Sequence, residues 1–302
     1  IDAMGTLRLL EAIRILGFRK DQIRIIPTDA EFKFALNKLK NAIAKDRLEG
    51  LHPLCLIATA GTTNTGTVDP LSEIAKICKT EDIWFHIDGA YGAAAILAKD
   101  GKNLLKGINK ADSLTVDPHK WFYQPYEIGC LLVRNHKWLS GTFTEKPEYL
   151  RDIEGNPSEI NFYDHGVELS RRFRALKFYM SIKTFGLKEF RKAITFNIEL
   201  AEAVEDHLRK SHSWEVISPA TLAVINFRYN RIGENLSEKK LDEINQHISA
   251  KVVASQKALL VTTVLNKQVV LRMCLINPRT TLSDVIETLA LCEEFAPIKK
   301  SV

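Results

Sequence analysis

A lysine that follows a proline and a histidine, at the end of an apolar run, is the first candidate for chemistry in this sequence of 302 residues. The run reads ADSLTVDPHKW and places Lys120 just after a segment with the composition of a buried strand. A buried lysine must be paired, neutralised or used covalently, because burial of an isolated ammonium is costly. A desolvated amine of this kind forms imines with carbonyl compounds. Taken alone, a surface lysine with an apolar stem is the commoner interpretation, so other residues must decide.

Asp88 is the second candidate, because it ends the apolar run IWFHID and is followed by small residues. A carboxylate at the end of a buried strand needs a cationic or hydrogen-bonding partner. The pyridine nitrogen of pyridoxal phosphate is one such partner, and Gly89 and Ala90 would leave room for a flat ring. An aspartate that caps the next helix is an equally open alternative at this point.

The polar segment TAGTTNTG, residues 59–66, is the third candidate. Its hydroxyls and glycines are suited to contact a phosphate, a ring hydroxyl or only the turn itself. The segment lacks the GK[ST] ending of a P-loop, and the chain has no GxGxxG motif after a strand. A nicotinamide cofactor is therefore not supported.

Composition narrows the classes of function. The chain is 45% hydrophobic and 26% charged, as is ordinary for a globular protein of one or two domains. Its net charge of +5 comes from cations interleaved with acids, which predicts no nucleic-acid partner. No apolar run approaches the ~20 residues that cross a bilayer. The five scattered cysteines form no CxxC or Cys/His cluster, which predicts no metal site and a cytoplasmic setting.

Short apolar runs alternate with helical periods in the first half of the chain, which predicts an α/β domain with a mainly parallel sheet. Ligands of such sheets bind beyond the carboxyl ends of the strands, and all three candidate segments leave those ends. The predicted strands are 23–27, 53–60, 83–88, 112–116 and 128–134, and the predicted helices are 7–17, 31–50 and 71–82.

The second half has a different order of elements. Residues 135–167 show no clear period, and a loop this long is usually functional or mobile. Two helices, 167–186 and 187–212, are predicted next, with Gly186 as the stop between them. The tail predicts a small α+β domain, with strands at 214–217, 222–229, 258–264 and 268–275 and helices at 237–250 and 281–294.

Four motifs, in order and with matching spacing, resemble one family. TAGTTNTGTVDP, WFHIDGAYGAA, ADSLTVDPHKW and ELSRRFRALKFYMSIKTFG are similar to the group II pyridoxal-phosphate-dependent amino-acid decarboxylases, in particular the aromatic-L-amino-acid branch. The resemblance runs from about Leu10 to Glu294. It implies fold type I of the PLP-dependent transferases, which is aspartate aminotransferase-like. It also implies a large PLP-binding domain at 1–177 and a small C-terminal domain at 178–302.

The resemblance implies a role for each matching residue of the cofactor site. Lys120 would hold pyridoxal 5'-phosphate covalently, and Asp88 would pair with the pyridine nitrogen. Ala90 would pack on one face of the ring, and Thr63 would approach its 3-hydroxyl and imine side. Asp117, at a position that is often asparagine in animal homologues, would lie near the cofactor or hold the loop.

Two further residues bear on the reaction. His119 would lie next to the phosphate and the cofactor face, with a packed residue behind the site as the alternative. Tyr149, in EKPEYLRD, occupies the position where decarboxylases of this family have a mobile tyrosine and aldehyde-forming relatives tend to have phenylalanine. The resemblance therefore predicts a carboxy-lyase that converts an L-amino acid to its amine and carbon dioxide, with an aromatic substrate favoured.

The sequence departs from the family pattern at its start, where family members are substantially longer. A histidine that stacks on the cofactor is expected near Thr6, but the first histidine is His52. We therefore expect either a piece of a longer protein or impaired cofactor binding. Aldehyde synthesis or other chemistry on the same cofactor stays open, as does a non-catalytic homologue that acts as a dimeric binding protein. The resemblance also implies a homodimer. Arg172 and Arg174 are candidates for a structural role, for contact with the substrate carboxylate or for the subunit interface, and the structural role is favoured.

Overall fold

The computed structural model describes residues 7–144, 160–233 and 235–296. The strands of the first half are Cys55–Thr59 (β1), Trp84–Asp88 (β2), Ser113–Val116 (β3) and Cys130–Val133 (β4). The helices of this half are Leu7–Ile15 (α1), Leu36–Leu48 (α2), Leu71–Glu81 (α3), Lys99–Leu104 (α4) and Lys137–Phe143 (α5). The strands of the second half are Trp214–Thr221 (β5), Val224–Tyr229 (β6), Val261–Leu265 (β7) and Gln268–Cys274 (β8). Its helices are Ala175–Lys210 (α6), Glu238–Ala254 (α7) and Leu282–Glu294 (α8).

The first sheet has the order β1–β2–β3–β4, with β1, β2 and β3 parallel and β4 antiparallel to β3. Leu56, Phe85 and Ile87 lie in a buried core that also contains Ile74 of α3. Helix α3 carries the chain from β1 back to the start of β2, as parallel pairing requires. The mainly parallel α/β sheet that the sequence predicts is therefore confirmed.

The second sheet is antiparallel throughout and has the order β5–β6–β8–β7. Strand β6 is buried along its whole length, including its polar residues Asn226 and Arg228. Helix α6 joins the two halves, because its residues Ile194 and Ile198 belong to the same hydrophobic core as both sheets. The α+β tail is as predicted, whereas the exact boundary between residues 177 and 178 stays a prediction.

Several segments differ from the prediction. Residues 23–27 do not form a strand: Ile26 is in an isolated bridge, and Thr28 pairs with Phe34 just after them. Helix α5 lies inside the stretch that the sequence predicts to be irregular. Helix α6 begins at Ala175, later than predicted, and is broken at Gly186, whose φ of 77° agrees with the predicted stop. In the part of the chain that the structure describes, no helix has the length and apolar character to cross a membrane.

Candidate active site

Three loops leave the carboxyl ends of β1, β2 and β3 at one edge of the first sheet. The register of the parallel strands places Thr59 beside Asp88, and Asp88 beside Thr115. The loops are joined by backbone hydrogen bonds, since the Gly92 amide donates to the carbonyl of Ala60 at 3.1 Å. The Asp117 amide likewise donates to the carbonyl of Ala90 at 3.1 Å. The three candidate segments of the sequence therefore meet in space, where ligands of parallel sheets bind.

Asp88 keeps part of its hydrogen-bonding capacity available. Its Oδ1 accepts a hydrogen bond from the Ala90 amide at 3.1 Å, in the turn that follows β2. Among the described residues, no hydrogen bond to Oδ2 is found, so that oxygen remains able to accept one from a ligand. The short 3₁₀ helix that follows, Gly92–Leu97, is preceded by Tyr91 and has no side-chain cap. The helix-cap alternative for Asp88 therefore does not describe its contacts.

His86 lies on the same face of β2 as Asp88, because alternate residues of a strand share a face. Its Nδ1 is 2.7 Å from the Ser113 hydroxyl, and its Nε2 is 3.3 Å from the Thr115 hydroxyl. Burial lowers the pKa of His86, and the negative charge of Asp88 partly offsets this effect. The sequence analysis did not single out His86, although the two-residue spacing in HID was a signal that could have done so.

Lys120 lies in a cluster with Asp117 and His119. Its Nζ is 2.9 Å from Oδ2 of Asp117, and the same oxygen is 3.8 Å from Nε2 of His119. The Lys120 side chain is 40% exposed, against 18% for Asp117, so solvent and small molecules can reach the amine. Asp117 thus contacts the lysine directly, as well as bonding its own backbone to the neighbouring loop.

Trp121 anchors the lysine from the other side. It is fully buried, its ring stacks on that of Tyr91 with centroids 5.0 Å apart, and its Nε1 donates to Oδ1 of Asn197 at 3.0 Å. The Tyr123 hydroxyl donates to the same Asn197 oxygen at 2.7 Å. Asn197 is a fully buried residue of α6, far away in the sequence, and no local pattern indicates it. The position of Lys120 therefore depends on a hydrogen bond to the long helix.

Buried side chains hold the loop between β1 and α3. The hydroxyl of Thr65 is 2.7 Å from those of both Thr62 and Thr67, and all three residues are buried. Asp69, also buried, accepts hydrogen bonds from the Thr59 amide at 2.7 Å and the Phe34 amide at 2.8 Å. These contacts fix the loop without any ligand.

The second sheet also contacts this loop. Arg272 of β8 donates from Nε to the carbonyl of Thr63 at 2.8 Å, and Asn226 of β6 donates to the carbonyl of Asn64 at 3.0 Å. Gly66 has a φ of 71°, and a Cβ there would lie 2.1 Å from the carbonyl oxygen of Thr221, so no larger residue fits. The Thr63 side chain is exposed, on the outside of the loop.

The groups at this edge are those that a pyridine aldehyde requires. Lys120 supplies an accessible primary amine, and Asp88 supplies a carboxylate with an oxygen to spare for a ring nitrogen. His119 lies on the loop after β3 and Ala90 on the loop after β2, and the hydrogen bond from the Asp117 amide to the Ala90 carbonyl joins these two loops. These residues fit the ring of pyridoxal phosphate. Tyr149, the predicted proton donor, lies outside the described residues.

Comparison with known proteins supports the same interpretation. The family model for the pyridoxal-dependent decarboxylase conserved domain matches residues 10–230. The chain is 48% identical over 288 residues to the aromatic-L-amino-acid decarboxylase of Bacillus atrophaeus, and 32% identical over 268 residues to tryptophan decarboxylase 1 of Oryza sativa. These matches cover 94% and 87% of this chain but only 60% and 52% of the two relatives.

A solved structure agrees over nearly the whole chain. The crystal structure of Oryza sativa TDC with PLP and tryptamine superposes with a TM-score of 0.91 at 28% identity, covering 98% of this chain and 61% of that one. The chain thus spans about three fifths of the length of the curated relative from Bacillus. The predicted fold type is confirmed, and the chain belongs to the pyridoxal-dependent decarboxylase family.

Proposed function

We propose that this chain forms the catalytic core of a pyridoxal-phosphate-dependent decarboxylase, which converts an aromatic L-amino acid to its amine and carbon dioxide. The observation that carries the proposal is the meeting of the Lys120 and Asp88 loops at one sheet edge, joined by the hydrogen bond from Asp117 to Ala90. The substrate class rests on the relatives, which include an aromatic-L-amino-acid decarboxylase and a tryptophan decarboxylase.

In this proposal the residues divide the work. Lys120 would hold the cofactor through its amine and give up that place to the amine of the substrate. Asp88 would keep a proton on the pyridine nitrogen, since a carboxylate at hydrogen-bonding distance favours the protonated ring. Bound pyridoxal phosphate supplies a conjugated ring that takes up the electron pair left when the bond between Cα and the carboxylate breaks. Carbon dioxide leaves, and a proton takes its place on Cα.

The remaining roles are those that the family resemblance implies. Ala90 would pack against one face of the ring, His119 would lie beside the cofactor face and Thr63 would approach the ring hydroxyl. Tyr149 would deliver or relay the proton to Cα as a general acid, from a loop that closes over the substrate. Asp117 would hold the Lys120 amine whenever the lysine is not bonded to the cofactor, through the contact at 2.9 Å.

The proposal also includes a cytoplasmic homodimer. An exposed apolar surface on the first half of α6 supports a partner subunit there, because monomers rarely expose large contiguous apolar patches. The exposed side chains of this surface are Leu176, Tyr179, Met180, Phe185 and Leu187. Light scattering on the purified protein should give twice the mass of one chain, and a monomer at micromolar concentration would contradict this part of the proposal. The free cysteines of the described region fit a reducing compartment.

The test of the proposed function is a product assay. Protein loaded with pyridoxal phosphate is incubated with a panel of aromatic, acidic and basic L-amino acids, and carbon dioxide, amine, aldehyde and ammonia are measured. We expect carbon dioxide and amine in equal amounts, largest for an aromatic substrate, and no turnover from the Lys120→Ala variant. Phenylacetaldehyde synthases are among the relatives. Aldehyde and ammonia as products would therefore indicate aldehyde synthesis in place of simple decarboxylation to the amine. Cofactor binding without any product would indicate a non-catalytic homologue.

A further inference from the structure

Residues 124–128 follow the loop that contains Lys120, and charged side chains hold this segment against the start of α6. The carboxylate of Glu127 accepts hydrogen bonds from Arg172 and from Nη2 of Arg174, the latter at 3.2 Å. Nζ of Lys177 donates to the carbonyl of Pro125 at 2.8 Å and to that of Glu127 at 2.9 Å. These three cations pull the same short segment toward the start of α6. We call Glu127, Arg172, Arg174 and Lys177 the Glu127 clamp.

The same segment determines the position of the His119 ring. Nδ1 of His119 lies 2.6 Å from the carbonyl oxygen of Ile128 and 3.1 Å from its amide nitrogen. The ring of Tyr126 meets the imidazole edge-on, with centroids 4.8 Å apart. Both contacts come from the immediate neighbours of Glu127. A shift of Glu127 would therefore turn the imidazole.

Close packing on the cleft side does not hold this segment in place. Tyr126 and Glu127 line an open cleft of ≈ 810 Å³ together with the cations of the clamp. Tyr126 is 84% exposed, so its side chain contributes little packing to hold residues 126–127, although the next residue, Ile128, is buried. Arg174 and then Arg172 hold the pKa of the Glu127 carboxyl below its usual value, so Glu127 is charged near neutral pH.

We propose that Glu127 is a positioning residue, which through the Glu127 clamp fixes the backbone of residues 126–128 and thereby orients the His119 ring at the cofactor site. This inference rests on the proposed function, because it assigns His119 a place beside the cofactor. The effect passes on to the lysine, because Nε2 of His119 lies 3.8 Å from the Asp117 oxygen that pairs with Lys120.

Other contacts keep the fold when the Glu127 clamp is removed. The ring of Phe122 packs edge-on against Phe178 of α6, with centroids 5.3 Å apart, and Tyr123 lies against Phe190 at 6.4 Å. These contacts are between apolar and aromatic rings, and none of the four residues of the Glu127 clamp takes part in them. We therefore expect variants of Glu127 to fold and to differ from the native protein mainly at the site.

The test uses the protein loaded with pyridoxal phosphate and compares Glu127→Gln with Glu168→Gln. Glu168 is the matched control, because it pairs with Arg174 at 3.6 Å and Arg171 at 3.4 Å but is not bonded to residues 124–128. The readouts are the circular dichroism of the bound cofactor, kcat and KM with an aromatic substrate, and the urea midpoint of unfolding.

We expect Glu127→Gln to reduce the cofactor dichroism at full cofactor occupancy and to lower kcat about 10- to 100-fold, the cost of a misplaced group in a site. Its KM should change less than twofold and its urea midpoint should stay at the native value, and Glu168→Gln should match the native protein in every readout. Lys177→Met, which removes the backbone contacts of the clamp, should reproduce the Glu127→Gln result.

The inference is overturned if Glu127→Gln has native dichroism and kcat. It is also overturned if the loss follows a lower unfolding midpoint, or if Glu168→Gln loses as much. A native protein that fails to bind the cofactor or to decarboxylate would instead contradict the proposed function, and the two failures are thus distinguishable.

Discussion

Two loops meet at the edge of the first sheet, and they are held in opposite ways. The loop of residues 60–68 is fixed by neutral, buried hydrogen bonds around Thr65 and by the carboxylate of Asp69, which is buried in the same place. The segment of residues 117–128 is anchored at Trp121 by a buried hydrogen bond, but its more exposed residues Lys120 and Glu127 are held by ion pairs. The hydroxyl network of the first loop involves no charge, whereas the ion pairs of the second segment depend on charges that salt and pH can reach.

The difference suggests a division of roles. A buried hydrogen-bonded network is rigid, because each unsatisfied member costs a large free energy. Exposed ion pairs are individually weak and can be broken and re-formed as a ligand arrives. The loop with the buried network is suited to serve as a fixed wall, and the segment with the ion pairs is suited to carry a lysine whose bonding partner changes during a reaction.

The largest effect is expected at Asp88, which lies between the two loops. Asp88→Asn keeps an oxygen that can accept the Ala90 amide, so the fold should be unchanged. It removes the charge that would hold a proton on the pyridine nitrogen, and turnover should fall by about 10²- to 10³-fold. Asp112→Asn, at the opposite end of the sheet, is the control, since Asp112 bonds the Phe85 amide there. Equal turnover in the native protein and in Asp88→Asn would show that Asp88 does not act on the cofactor.

The second largest effect is expected in the loop of residues 60–68, when Asp69 is replaced. Asp69→Ala leaves the buried amides of Thr59 and Phe34 without this acceptor, and the free energy of unfolding should fall by about 2–4 kcal/mol. Asp29→Ala is the matched control, because Asp29 accepts amide hydrogen bonds in an exposed turn, where water can replace them. Urea denaturation measures both. A loss at Asp29 as large as at Asp69 would mean that burial is not the cause.

Thr65→Val tests the neutral network alone. It keeps the shape of the side chain but removes a hydroxyl that lies 2.7 Å from two others, and we expect a loss of about 1–3 kcal/mol in the free energy of unfolding. The loss should be the same at low salt and in 1 M salt, because no charge is involved. A marked salt dependence would contradict the contrast between the two loops.

The smallest effect is expected from salt and pH on the Glu127 clamp. Arg174 and Arg172 lower the pKa of Glu127. The stabilisation that the ion pairs of Glu127 give the folded protein is therefore fully present when the pH is above the usual pKa of glutamate, and it is lost as the pH falls through the lowered pKa. In 1 M salt, where screening acts over ~3 Å, the difference between native protein and Glu127→Gln in cofactor dichroism should shrink. An undiminished difference at high salt would mean that hydrogen-bond geometry, not charge, holds the segment.

Local patterns predicted what depends on neighbours in the chain. The strands that end at Thr59 and Asp88 and the break at Gly186 follow from apolar runs and from a glycine at positive φ. The strand predicted at residues 23–27 is wrong, because an apolar run forms a strand only if another strand pairs with it. Ile25 of this run is in fact 56% exposed.

The parts that were missed depend on tertiary contacts. Asn197 receives hydrogen bonds from Trp121 and Tyr123, which precede it by more than seventy residues. Residues 167–174 have a helical composition but are not helical, since Arg172 and Arg174 bond to Glu127 across the fold. No sequence period encodes either pairing, because the partners come together only when the start of α6 and its Asn197 pack against the segment of residues 121–127.

The covalent attachment at Lys120 is the central claim, and one measurement tests it directly. The protein loaded with pyridoxal phosphate is reduced with borohydride and digested. The masses and fragments of its peptides are then measured by mass spectrometry. The account predicts a single reduced pyridoxyl phosphate adduct, on the peptide that contains Lys120 and on that residue. An adduct spread over several surface lysines, or one equally abundant in Lys120→Ala, would contradict it.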